Sequence, residues 1–235
     1  MKNLALFAVA MFICTATVAQ STQETVVEEK AGYSLFKIGI SFPGDDLTNE
    51  KKNDFGEVGT GLVFGLKSYK SLETTLPNLW LVYGAELYYN GLSSDTKDDI
   101  EDEYDSSVDI TFPMFFNLPV TIGCNYTMPL QNSLSIYGEL AAGLNISYIT
   151  KLKYEEGKDF DEYIFDTAVG FCYGLEAGLI INEKFHIGIR FNNLGSYKYK
   201  YENTYTDYYG DEETDKGKWN KLDVTNTALV LGIRF

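Results

Sequence analysis

Apolar and polar residues alternate with a period of two along most of this chain. At the C-terminus, Leu229, Leu231, Ile233 and Phe235 share one face, while Ala228, Val230, Gly232 and Arg234 share the other. Upstream, Phe185, Ile187, Ile189 and Phe191 oppose His186, Gly188, Arg190 and Asn192. Val169, Phe171, Tyr173, Leu175, Ala177 and Leu179 oppose Gly170, Cys172, Gly174, Glu176 and Gly178. Further back the scheme recurs around Lys37, Lys67, Glu86, Asn117 and Glu139, each on the polar or small-residue face of its segment. Alternation over ten or more residues, repeated between turn signals, is the pattern of strands that cross a membrane. Eight strands are predicted, at 33–42, 57–69, 79–90, 108–127, 133–152, 164–181, 184–200 and 222–235.

The connections add an independent signal. They alternate long (43–56), shorter (70–78), long (91–107), short (128–132), long (153–163), very short (182–183) and long (201–221). Outer-membrane barrels have short periplasmic turns and long external loops, and an even strand count leaves both termini on the periplasmic side. The expected fold is therefore all-β: an antiparallel, up-and-down, eight-stranded transmembrane β-barrel.

The N-terminus fits that location. Lys2, the apolar run Leu4 to Ile13, and Thr17-Val18-Ala19 before Gln20 form the pattern of a cleaved signal peptide. The run is too short for a membrane-spanning helix, which takes about 20 residues. No later segment holds 18 successive apolar residues, and a closed barrel is the other membrane-spanning solution, because lipid offers no water to open backbone edges. The division expected is signal peptide 1–19, periplasmic segment 20–32 and outer-membrane barrel 33–235.

Without its signal the chain keeps 18 basic against 34 acidic residues. That balance argues against nucleic-acid binding, which needs a basic face to neutralise phosphates. The acids are sorted: residues 43–57, 91–107, 153–163 and 201–221 hold 23 of the 34, on the side predicted to be external. The 18 Tyr, 15 Phe and 21 Gly suit strands with close backbone approaches and an interfacial aromatic belt. Cys124 and Cys172 read as small apolar residues rather than a disulfide framework.

The terminal-Phe strand, the signal ending Val18-Ala19-Gln20 and the segment Ile110-Thr111-Phe112-Pro113-Met114 resemble the small porin-like outer-membrane β-barrel proteins related to PorT, with the OmpA-type eight-stranded architecture. The resemblance covers essentially the whole mature chain. It implies an architecture and a location, the bacterial outer membrane, rather than a reaction.

Candidate chemistry lies on the inward face: the bases Lys37, Lys67, Arg190 and Arg234, the acids Glu86, Glu139 and Glu176, and His186 near the periplasmic end. An eight-stranded barrel is only wide enough for side chains to fill, and unpaired charges there are costly. A salt-bridged lumen is expected, with a narrow gated channel as the alternative. If Ile181 and Phe185 both face lipid, the tightest turn encloses Asn182, Glu183 and Lys184 and sets Glu176 opposite Arg190. Reversing both charges of that pair is then expected to recover part of the stability lost on removing one.

His186 has no nucleophile at a local motif spacing, and neither a nucleophile elbow nor a zinc-binding helix motif is present, so enzymatic activity, a lipid-modifying one included, is not expected. No cofactor and no metal site are expected. Asp95 to Asp105 lacks the spacing and central glycine of a calcium loop and reads as a solvated acidic loop, with weak divalent bridging to lipopolysaccharide as the alternative. Tyr197, Tyr199, Tyr201, Tyr205, Tyr208, Tyr209 and Trp219 read as an outer aromatic girdle leading into an external hairpin, or a patch for a sugar or protein. Leu229, Leu231, Ile233 and Phe235 resemble an assembly signal. Expected partners are outer-membrane lipid and lipopolysaccharide, the barrel-insertion machinery and an extracellular protein or sugar ligand.

Overall fold

The computed structural model describes residues 32–49, 56–72, 76–104, 107–131, 133–157, 159–206 and 210–235. The expected signal peptide, most of the segment expected before the barrel, and Tyr208 and Tyr209 lie outside the described residues.

Among the described residues there are eleven strands: β1 (Tyr33–Asp45), β2 (Gly61–Ser71), β3 (Leu79–Gly91), β4 (Asp109–Thr111), β5 (Met114–Gln131), β6 (Leu134–Ile149), β7 (Leu152–Glu156), β8 (Asp159–Phe165), β9 (Ala168–Ile181), β10 (Phe185–Thr206) and β11 (Glu212–Arg234). A helix, α1 (Ser94–Glu103), lies between β3 and β4. Eight of the strands close a ring in the order β1-β2-β3-β5-β6-β9-β10-β11, and β11 returns to β1. Every pairing in the ring is antiparallel. The seam is pinned at the chain end, where Ser34 and Phe235 exchange two backbone hydrogen bonds of 3.1 and 3.0 Å.

The alternation sets the wall. Phe36, Ile38, Ile40 and Phe42 point out and are exposed, whereas Lys37 and Ser41 between them are buried. Leu175, Ile189 and Leu231 are likewise exposed apolar residues, and their strand neighbours Glu176, Arg190 and Val230 are buried. An apolar exterior around a polar interior is the inverse of a soluble core and needs lipid outside.

Several boundaries differ from those read in the sequence. The predicted strand 108–127 is broken, because Pro113 has no N–H to give to a ladder. Ile110 therefore lies in β4, which leaves the barrel and pairs with β7, and the barrel strand starts at Met114. The segment Ile110–Met114, part of the resemblance above, is thus two elements. Residues 159–165 form β8 and only 168–181 belong to the barrel. The expected long loop 201–221 is mostly an extended hairpin of β10 and β11.

Above the ring, β8 joins β10 through Phe165↔Tyr201 to Phe160↔Thr206, β7 joins β8, and β4 joins β7. The barrel wall thereby continues into a three-stranded external flap. Helix α1 starts at Ser93, whose hydroxyl accepts from the Thr96 backbone N–H at 3.1 Å. Thr96 in turn accepts from the Glu57 N–H at 3.0 Å, tying the helix to the connection before β2.

Candidate functional site

The turn after β9 controls the register of the inner face. Lys184 N–H donates to Ile181 C=O at 3.1 Å, and Asn182 and Glu183 take positive φ values of 52° and 56°. Ile181 then pairs with Phe185, and Glu176 with Arg190. Glu139 lies opposite Glu176 on the other side, across β6 and β9. Two carboxylates side by side would repel, so this register depends on cations reaching them from other strands.

Three cations do. Lys37 from β1 donates to both Glu176 oxygens at 2.6 Å. Lys67 from β2 lies 2.5 Å from Glu139 and 3.2 Å from Glu86. The Arg190 guanidinium meets all three acids, at 2.9 Å to Glu86 and 3.0 Å to both Glu139 and Glu176. The side chains of all six are 2% exposed or less. Three positive and three negative charges thus form one neutral layer across the lumen. Such a layer is tolerable out of water only because every carboxylate in it lies against cations that neutralise it.

Tyrosines and asparagines complete it. Tyr69 donates to Glu139 at 2.9 Å, Tyr137 to Glu176 at 2.7 Å and Tyr88 to Glu86 at 3.3 Å. Asn192 accepts from Arg190 Nε at 2.8 Å and donates to the Tyr88 hydroxyl at 2.7 Å. The alternation alone puts Tyr69, Tyr88 and Tyr137 on the inner face, but a search for charged groups passes over them as partners.

The other two inward groups singled out in the sequence stand apart. Arg234 lies over the Tyr33 ring, 4.0 Å from its centroid. His186 is 2% exposed, among the rings of Tyr137, Tyr69 and Tyr33, and neither ring nitrogen has a hydrogen-bond partner among the described residues. Both line a cavity of about 520 Å³ at the end of the short turns, together with Trp80, Ser135 and Glu183.

On the other side of the ionic layer the lumen stays filled. Asn226 donates to Ser41 and Ser41 to Asn90; beside them Asn145 donates to Asn117 and to the Tyr197 hydroxyl. Beyond these, Leu47, Val58, Leu92, Phe115, Leu194 and Leu222 form an apolar cluster under the long connections. Tyr197 and Tyr199 belong to that cluster, at 3% and 2% exposure. They are not girdle residues as expected. The register shifts between Asn193 and Gly195, so every later residue of β10 changes face. Tyr201 and Trp219 pack together, with Phe165 against Trp219, at the base of the flap.

In the flap itself, Tyr154 stacks on Tyr104 with ring centroids 4.8 Å apart. Burial raises the ionisation range of Tyr154 and also that of the Asp161 carboxyl. Cys124 is exposed on the outer wall and Cys172 is buried in the lumen, so they do not form a disulfide. Among the described residues, no cluster of three or more His, Cys, Asp or Glu has metal-binding geometry.

A family model described as outer membrane protein beta-barrel domain matches residues 5–235. The chain belongs to this family. The location that goes with membership is the bacterial outer membrane, where the exposed apolar wall has its solvent. No curated protein matches the chain. Among solved structures, Neisserial surface protein A is 12% identical, with 87% of this chain and 96% of that one covered at a TM-score of 0.48. A major outer membrane protein from Thermus thermophilus is 8% identical, with coverage of 88% and 100% and a TM-score of 0.49. The attachment invasion locus protein Ail of Yersinia pestis, solved with the heparin analogue sucrose octasulfate, is 19% identical, with coverage of 88% and 100% and a TM-score of 0.41. Likeness at these levels carries no inference about what this outer-membrane barrel binds.

Proposed function

We propose that this barrel is a non-enzymatic outer-membrane protein with a closed lumen, acting through its external flap, helix and long hairpin. The observation that carries the reading is the sequence of fillings along the lumen: the neutral six-charge layer, then the asparagine layer, then the apolar cluster. An ion entering would have to displace Lys67 or Arg190 from buried carboxylates, a cost of several kcal/mol per ion. Against an enzymatic role stands the placement of His186, walled in by aromatic rings on the inner side.

The test is electrical. The purified barrel in planar bilayers should give no conductance steps above the lipid baseline. Regular steps would instead support a narrow gated channel, with the 520 Å³ cavity as its inner vestibule. Replacing residues 152–165 by a short turn should leave the barrel folded while abolishing whatever cell-surface interaction the intact protein supports. Cells that express the protein should show unchanged lipid A mass.

A further inference from the structure

Outside the lumen, the upper halves of β10 and β11 carry five exposed lysines, Lys198, Lys200, Lys216, Lys218 and Lys221, on a chain of net charge −15. Four of them are placed against physical preference. Lys198 pairs directly with Lys221, and Lys200 with Lys218. Like charges directly opposed across two strands destabilise a sheet. Two irregularities produce the arrangement. The shift between Asn193 and Gly195 turns Lys198 and Lys200 outward, and the shift between Lys198 and Lys200 adds a residue on β11 that keeps both Lys218 and Lys221 on the same outer face. A strand pair without these bulges would not stack four lysines on one side.

Their height matters as much as their charge. Phe185 marks the inner edge of the apolar wall. At about 3.3 Å per residue and a tilt of about 40°, Lys198 and Lys200 sit roughly 30–40 Å above it. An apolar band is about 25 Å tall, so the lysines lie roughly 5–15 Å past it, at the level of lipid head groups. Three acids stand beside the lysines, and Glu212, Glu213 and Asp215 lie farther along β11. Lys216 is paired with Glu202 at 2.7 Å, Asp223 lies 3.7 Å from Lys221, and Asp166 lines the shallow groove with Lys200 and Lys218. The acids leave a surplus of positive charge on this strip of outer wall at head-group level.

We infer that the lysine ladder of β10 and β11 is a binding strip for the phosphate groups of the outer-leaflet glycolipid, lipopolysaccharide, with each opposed pair straddling one phosphate. The anion removes the repulsion that the pairing creates. The inference is independent of whether the lumen conducts, since no lumen residue takes part.

The full-length mature barrel, reconstituted in nanodiscs, allows a direct test with lipopolysaccharide, the same lipid after enzymatic dephosphorylation, and phosphatidylglycerol. The variant K198Q/K200Q/K218Q/K221Q should lose at least about tenfold in lipopolysaccharide affinity, because each lysine near an anionic surface adds to the attraction. Dephosphorylation should weaken wild type to the level of the variant. In detergent free of lipopolysaccharide, the double variant K198Q/K221Q should unfold at a higher temperature than wild type, because a repulsive pair has been removed. The external variant K151Q/K153Q, whose lysines are paired with Glu162 and Glu155, should bind as wild type does. Equal affinity of the quadruple variant and wild type would overturn the inference. So would a wild type indifferent to dephosphorylation, or one competed equally by phosphatidylglycerol, which would reduce the strip to general attraction for anionic lipid.

Discussion

At Arg190 a single guanidinium contacts Glu86, Glu139 and Glu176, so its removal leaves three buried carboxylates facing two lysines. Arg190→Met should therefore destabilise the barrel by about 3–5 kcal/mol, the usual cost of stranding a buried charge. Urea titration of the folded, heat-modifiable gel band reads this out. Adding Glu176→Gln restores neutrality across the layer and should return part of the loss. Reversing the pair, as R190E with E176R, should not, contrary to the expectation drawn from an isolated pair. A carboxylate at position 190 would stand against Glu86 and Glu139, which hairpin arithmetic cannot see. Gly174 belongs to the same site. A Cβ there would lie 2.3 Å from Asn192 Oδ1 and 3.0 Å from Arg190 Nη2, so the glycine leaves the space that the Asn192 amide and the guanidinium occupy.

On the scale of single strands, β9 separates two kinds of failure. Leu175 is 52% exposed on the lipid side and Glu176 buried beside it. Leu175→Arg should cost about 2–4 kcal/mol, as a charge in the bilayer midplane, and the effect should shrink when the barrel is moved into a short-chain detergent. Glu176→Leu should be as harmful in either medium, since the fault is inside. If both respond to the detergent alike, the two faces have been misassigned. On β10 the decisive position is Gly195, at φ 113°, where a Cβ would come within 2.7 Å of the Tyr197 hydroxyl. Gly195→Val should cost about 1–3 kcal/mol of backbone strain. It should also expose Tyr197 and Tyr199, read as a shift in near-ultraviolet circular dichroism.

The whole molecule depends on closing the ring. Phe235 is exposed to lipid, yet its backbone supplies both hydrogen bonds that fix β11 to Ser34 at the start of β1. Deleting Phe235 should lower the yield of inserted barrel, with the remainder degraded in the periplasm. Phe235→Ala keeps the backbone bonds and isolates the side chain, so insertion that survives this substitution but not the deletion would assign the effect to the seam rather than to recognition of the terminal aromatic. The intact barrel should run faster on gels unboiled than boiled, because its wall of closed ladders resists detergent.

Much of this was legible in the residues. A period of two with lipid outside leaves each strand residue one face to occupy, so the wall, the inward charges of β1, β2, β3, β6, β9 and β10, and the Glu176–Arg190 register follow from local pattern and one turn. What the pattern misses is whatever breaks local periodicity or joins distant strands. Pro113 diverted Ile110 into a flap, and one bulge reversed the faces of Tyr197 and Lys198. Helix α1 carries too little apolar surface to announce itself: Ile100 is its one large apolar residue, packed on the apolar cluster, and Ser93 and Thr96 hold its start. The meeting of Lys37, Lys67 and Arg190 over three carboxylates was decided by the diameter of the closed ring. Eight strands leave a lumen so narrow that side chains from opposite walls must touch, and only their partners across it determine which charges are neutralised.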